Sequence, residues 1–309
     1  MAVGLLAGCA ALVPEAQLAP SAAPSPPARP AVAAPDDSAE RLAAFFSARE
    51  AEQVAAGLRR LDGSRAPLPD DLDDIVDIYV DVALRDEYSL AGGRLRPSGA
   101  PAPLRRWQGQ VRYNLIFGDS VPAATQQRDR AEAGRLIARM AQATGHPLRL
   151  MPASAGTGGN FHVLVLDPAE RRAAGPMLRA LVPGVDDTTV GLITGLPISA
   201  YCLVAAFSQG RGDVYTGAIA IVRAELPERT RHACLHEEMA QGLGLPNDSD
   251  RAVPSIFNDN QEFARLTSLD LLLLRIHYDN RLRPGMRAAQ ARPIVRRIVA
   301  ELTGAAEAG

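Results

Sequence analysis

The chain has 309 residues, 47% hydrophobic and 22% charged, which is enough apolar material for a sizeable core. Its formal net charge is −2, and its basic residues are scattered among acidic ones without a stripe interleaved with aromatics, which argues against a nucleic-acid partner. No run nears the roughly 18 apolar residues that a membrane-spanning helix needs. The apolar cluster Leu271 to Leu274, bracketed by Asp270 and Arg275, reads as a core helix.

The chain opens with a short run of small apolar residues ending in Leu6-Ala7-Gly8-Cys9. This stretch resembles the lipobox of bacterial lipoproteins, in which the chain is cleaved before a cysteine that then carries lipid. The basic n-region of a signal peptide is missing from it. The resemblance implies a signal-like segment over 1–9, lipidation at Cys9, and a periplasmic protein anchored to a membrane. Ala10 follows the cysteine, where Asp would favour retention in the inner membrane, so the outer membrane is the expected address. Residues 10–36 are rich in Pro, Ala and Ser, cannot bury enough surface to order themselves, and read as a tether.

A single domain is expected over 37–309, with a helical extension over 37–100 and a core over 101–290. Leu42, Phe45, Phe46, Val54 and Leu58 recur at helical spacing behind Ser38, a candidate N-cap. The acidic stretch 70–88 fits either a solvated helix face or an edge strand. From Trp107 the text becomes α/β: "VRYNLIFG" reads as a strand and "QQRDRAEAGRLIARMAQATG" as a helix closed by Gly145. "LRLMPA" and "NFHVLVLD" read as further strands, followed by a short helix broken at Pro176. "AYCLVAAFSQ" and "YTGAIAIVRA" are strands joined by a Gly-rich turn. "GTGG" at 156–159 lacks the strand-to-helix context of a phosphate cradle and reads as a turn. Cys202 and Cys234 make either a disulfide, as an oxidising compartment would allow, or two buried thiols.

The segment with chemical content is "LHEEMAQGLGLPND", residues 235–248, on a helix after the last strand. At 100° per residue Glu237, Glu238 and Gln241 share one wedge, and Leu235, Met239 and Leu243 share another. Two carboxylates and an amide are costly to bury without partners, so they should face a cleft or a ligand. Its register resembles the metzincin pattern H-E-x-x-H-x-x-G-x-x-H of zincin-like metallopeptidases. The general-base position falls on Glu238 and the turn glycine on Gly244. The three zinc-ligand positions fall on Glu237, Gln241 and Asn247. Carboxamide oxygen is a poor zinc ligand, which argues against a standard zinc site. With Asp248 these residues form an oxygen-rich set better suited to another divalent cation. His232 and His236, at i and i+4, are either structural or a rival ligand pair. His146, His162 and His277 are assigned no role.

Together with "FND" at 257–259 and "RLRPGM" at 281–286, the helix motif resembles a family of candidate lipoproteins of Gram-negative bacteria whose domain has no assigned function. The polar loop around "NDSDRAVPSIFNDNQEF" reads as a capping loop or, alternatively, a calcium loop without the regular EF-hand spacing. The expected fold is α/β, a zincin-like mixed sheet with a metal-helix-like helix beneath it and a helical C-terminal part. Two functions follow. One is a degenerate, non-catalytic module holding an envelope protein or peptide in the old substrate cleft. The other is an active metal-dependent hydrolase with Glu238 as general base and Glu237, Gln241, Asn247 and Asp248 holding the metal.

Overall fold

The computed structural model describes residues 2–4, 39–91, 94–210, 212–258 and 260–304. Cys9, the stretch 10–36 and the expected N-cap Ser38 lie outside the described residues.

Three residues, β1 (Ala2–Gly4), precede α1 (Ala39–Ala55). Only Leu42 and Phe46 of the expected α1 stripe are buried, while Phe45 and Val54 are exposed. The acidic stretch resolves into both of its readings in succession. Asp71 caps α2 (Leu72–Ala83) by accepting from the Asp73 N–H, and Ile75, Val76, Tyr79 and Val82 face inward. The outward aspartates meet arginines of the last helix: Asp77 pairs with Arg292 and Asp73 with Arg296. The chain then enters the antiparallel hairpin of β2 (Arg85–Ala91) and β3 (Arg94–Pro101). The expected helical extension is therefore half helix and half hairpin.

The main sheet is built from β4 (Arg106–Trp107), β5 (Val111–Phe117), β6 (Leu148–Leu150), β7 (Phe161–Leu166), β8 (Cys202–Ser208) and β9 (Val214–Arg223), with β1 at one edge. Its order is β1-β8-β9-β7-β5-β6, with β4 alongside β9. The β6–β5, β5–β7, β7–β9 and β4–β9 pairs are parallel; β8 runs antiparallel to β9 and to β1. Parallel strands covered on both faces read as continuous apolar runs, as β7 does, with every residue buried. The price is His162 within β7, whose imidazole burial pushes down to about 4.

Helix α3 (Ala123–Thr144) crosses between β5 and β6 and ends at Gly145, whose φ of 64° is the left-handed conformation that closes helices. After β7 come α4 (Pro168–Ala173), α5 (Gly175–Leu181) and α6 (Asp187–Thr194), the last capped by Asp186 accepting from the Thr189 N–H. Helix α7 (Glu228–Gln241) packs against β8, β9 and α3. The C-terminal part is helical, with α8 (Ser268–His277) and α9 (Ala288–Thr303), and α9 lies on α2. The result is a mixed α/β fold with a mostly parallel sheet, as expected from the pattern of elements.

Candidate functional site

Helix α7 carries the wedge that its sequence spelled out. Leu235, Met239 and Leu243 are fully buried, while Glu237, Glu238 and Gln241 line a cleft of about 1150 Å³. The start of β8 (Cys202, Leu203) and α6 (Asp187, Thr188, Leu192) form further walls. Strand β2 adds Glu87 and Tyr88, and the loop before α8 adds Asp248, Asn258, Gln261 and Phe263. Arg59, from the segment after α1, is the sole cation among the described lining residues.

The walls are held by buried polar ties. A disulfide joins Cys202 to Cys234 with a Cα–Cα distance of 5.9 Å, pinning the start of β8 to α7 at the cleft itself. Arg223 is buried beneath the segment between α6 and β8. It donates to the carbonyls of Leu196, Pro197 and Ala200 and pairs with Glu225 at 2.9 Å. In the loop before α8, Asn258 Nδ2 donates to the carbonyls of Ser249, Asp250 and Ala252, and its Oδ1 accepts from the Asn260 N–H. These bonds make the polar loop self-supporting and occupy Asn258 on both sides of its amide.

Glu238 is 3% exposed and Gln241 is 1% exposed, and among the described residues neither Glu238 Oε2 nor Gln241 Oε1 has a hydrogen-bond partner. An unmatched buried polar atom costs about 1–3 kcal/mol, so both atoms are exceptions to the usual satisfaction of buried groups. The Gln241 Nε2 donates to Asp248 Oδ1 at 3.3 Å, which aligns those two side chains. Burial, then the neighbouring Glu237, Glu87 and Asp248, push the Glu238 carboxyl well above its ordinary range. A positive group placed beside it would restore the carboxylate. Among the described residues, no set of three or more His, Cys, Asp or Glu side chains converges as a metal site.

Asn247 departs from its expected role. Its Nδ2 donates to the Asp81 carbonyl and its N–H to the Val82 carbonyl, so it ties the exit of α7 to the end of α2. Between α7 and Asn247 the chain turns at Gly244, at φ +126°. A Cβ there would collide with the Arg105 carbonyl and the His277 ring, so the turn needs glycine.

The two histidines of α7 face α3. His232 Nε2 donates to Asp129 at 3.0 Å, beside Arg231. His236 Nδ1 accepts the Leu266 N–H at 3.0 Å, which fixes the neutral tautomer, and its Nε2–H is donated to Glu132 at 3.0 Å. Burial lowers the His236 imidazole further. His277 is structural too: Nε2 donates to the Arg105 carbonyl, Nδ1 accepts from Tyr79, and burial with Arg106 nearby lowers it to about 3.

Of the candidate residues, then, Glu237, Glu238, Gln241 and Asp248 come together with the disulfide, and Asn247 lies elsewhere. Sequence reasoning missed Arg59, Glu87, Tyr88, Gln261 and all of α6. Only α6 carried a local signal, the capping Asp186 before an apolar run.

Fold and site define a mixed α/β domain with a carboxylate-floored cleft beside the start of β8. The chain belongs to the family described as protein of unknown function (DUF2927), whose model matches residues 73–297. No curated protein matches it. The match runs from α2 into α9 and leaves out α1 and Arg59.

Proposed function

We propose that the protein is an envelope-anchored lipoprotein whose domain is a degenerate metallopeptidase-like module that holds a peptide or a segment of an envelope protein without hydrolysing it. The observation that carries this reading is the floor of the cleft. Glu237 and Gln241 stand at two positions of a zinc-peptidase helix where histidines would bind metal, beside Glu238 at the general-base position. Both histidines of α7 are committed to α3 carboxylates instead. The helix follows the last strand of the sheet and lines the cleft, which supports the zincin-like reading of its motif. A cleft of about 1150 Å³ has room for several side chains of an extended chain.

Anchoring rests on Cys9 and the tether that follows it. Cleavage before Cys9 would remove β1 and open the outer hydrogen-bonding edge of β8 at Ala206–Ser208, an edge suited to strand addition. Metabolic labelling with palmitate, lost in Cys9→Ala, is the expected result for the anchor.

The second reading, an active hydrolase with Glu238 as general base, is favoured by the perturbed carboxyl of that residue. Incubating the purified protein with unstructured peptides, with and without added divalent cations, separates the two. The proposal expects peptide binding without turnover. Turnover abolished by Glu238→Gln would replace it with the hydrolase.

A further inference from the structure

Two oxygen atoms on successive turns of α7, Glu238 Oε2 and Gln241 Oε1, are buried at the cleft floor with no hydrogen-bond partner among the described residues. Both belong to residues that line the cleft, so a small turn of either side chain would bring its buried oxygen to a ligand there. Gln241 spends its amide nitrogen on Asp248, which leaves the side chain presenting an acceptor. The floor thus presents two unmatched oxygens, and an ionised Glu238 would accept from a donor placed beside it.

The surroundings specify its charge. Glu87, Asp187, Glu237 and Asp248 also line the cleft; even with Arg179 paired to Asp187 and Arg59 facing Glu237, carboxyl groups outnumber cations among the described lining residues. Arg59 is already engaged, donating from Nε to Gln53 at 3.0 Å and from Nη2 to Gln261 at 2.8 Å. The low-polarity parts of the wall come from Leu192, Leu196, Ile256 and Phe263, which would cover an alkyl stem.

We propose that the floor of this cleft is a receptor for a primary ammonium group carried by a peptide, either a lysine side chain or a free amino terminus. This rests on the peptide-binding reading above. An ammonium offers three donors that can be aimed separately, matching acceptors that come from two different side chains. A guanidinium fork prefers the paired oxygens of one carboxylate. Among the described residues no three His, Cys, Asp or Glu side chains converge on one point, so a divalent ion would have to rely on fewer carboxylates with amide and water oxygens.

The experiment is calorimetric titration of the full chain with one short Ala/Leu peptide made in three forms: blocked at both ends with an internal lysine, free at the amino terminus without lysine, and blocked with acetyl-lysine. Binding of either ammonium form, weakened about tenfold or more by acetylation, is the expected result, and the stronger of the two names the source. Glu238→Gln and Gln241→Leu each reduce ammonium affinity about tenfold, whereas Arg281→Ala, remote from the cleft, leaves it unchanged; circular dichroism checks that each variant folds. Equal binding of the acetylated peptide overturns the ammonium receptor and leaves the peptide module standing. Failure of all three peptides to bind overturns both. Calcium, magnesium or zinc binding in stoichiometric amount and displaced by the peptides also overturns the ammonium receptor in favour of a metal site.

Discussion

Arg59 and Gln261, 202 residues apart, hold each other in place at the rim of the cleft. The Arg59 N–H donates to the Gln261 carbonyl at 2.9 Å and its Nη2 to the Gln261 side chain at 2.8 Å. Both have φ of 57°, a conformation uncommon outside glycine that persists where the surroundings over-determine it. The link staples the segment after α1 onto the loop before α8, and both residues line the cleft.

Arg59→Ala removes a buried charge-assisted hydrogen bond and should cost about 2 kcal/mol in urea unfolding. Its neighbour Arg60, exposed and paired with Asp62 and Glu262, serves as the contrast. Arg60→Ala should cost far less, as surface ion pairs contribute little. Equal effects would remove the rim from the account.

Glu238 should destabilise the protein as pH rises. Its folded-state carboxyl is shifted up by burial and by Glu237, Glu87 and Asp248, while the unfolded side chain ionises near the ordinary value. Below that value both states are protonated and there is no penalty; above it the unfolded state alone ionises freely. Glu238→Gln should therefore raise stability at pH 8 by roughly 1 kcal/mol or more and leave it unchanged at pH 4. Thermal unfolding across that range is the measurement; a gain of equal size at both ends would point to repacking.

Glu132 has the opposite sign. The His236 Nε2–H, with Arg135 and Arg265, holds its carboxyl below the usual range despite burial. The stabilisation is fully present above the unfolded value and is lost as pH falls through the folded one. Glu132→Gln should lower stability at neutral pH by about 2 kcal/mol and flatten its acid dependence. Acid titration followed by circular dichroism reads both effects.

Replacing Cys202 and Cys234 by serine frees a loop with a sequence separation of 32 and should cost about 3.5 kcal/mol. Because both cysteines line the cleft, backbone amides at the start of β8 and in α7 should also lose protection in hydrogen exchange. Unchanged protection there would confine the disulfide to a role in the unfolded chain.

The sheet, α3 with its closing Gly145, and the two wedges of α7 were legible in the sequence because they rest on local periodicity. The disulfide was legible as one of two options. The rest of the site depends on contacts that periodicity does not encode. Glu87 and Tyr88 reach the cleft only because β2 turns back as a hairpin, and Arg59 only through Gln261. Spacing along the motif suggested Asn247 as a third ligand, but its amide nitrogen donates to the Asp81 carbonyl at the end of α2, a partner far away in the sequence. The histidine spacing of α7 was real, yet its partners Asp129 and Glu132 lie about a hundred residues upstream on α3.

The central claim is that this cleft has exchanged metal chemistry for binding. Elemental analysis of the protein purified without chelators tests it most directly. The account predicts no stoichiometric metal and folding indifferent to added chelator. Stoichiometric metal that disappears in Glu237→Ala or Gln241→Ala would contradict it and make the cleft a converted metal centre.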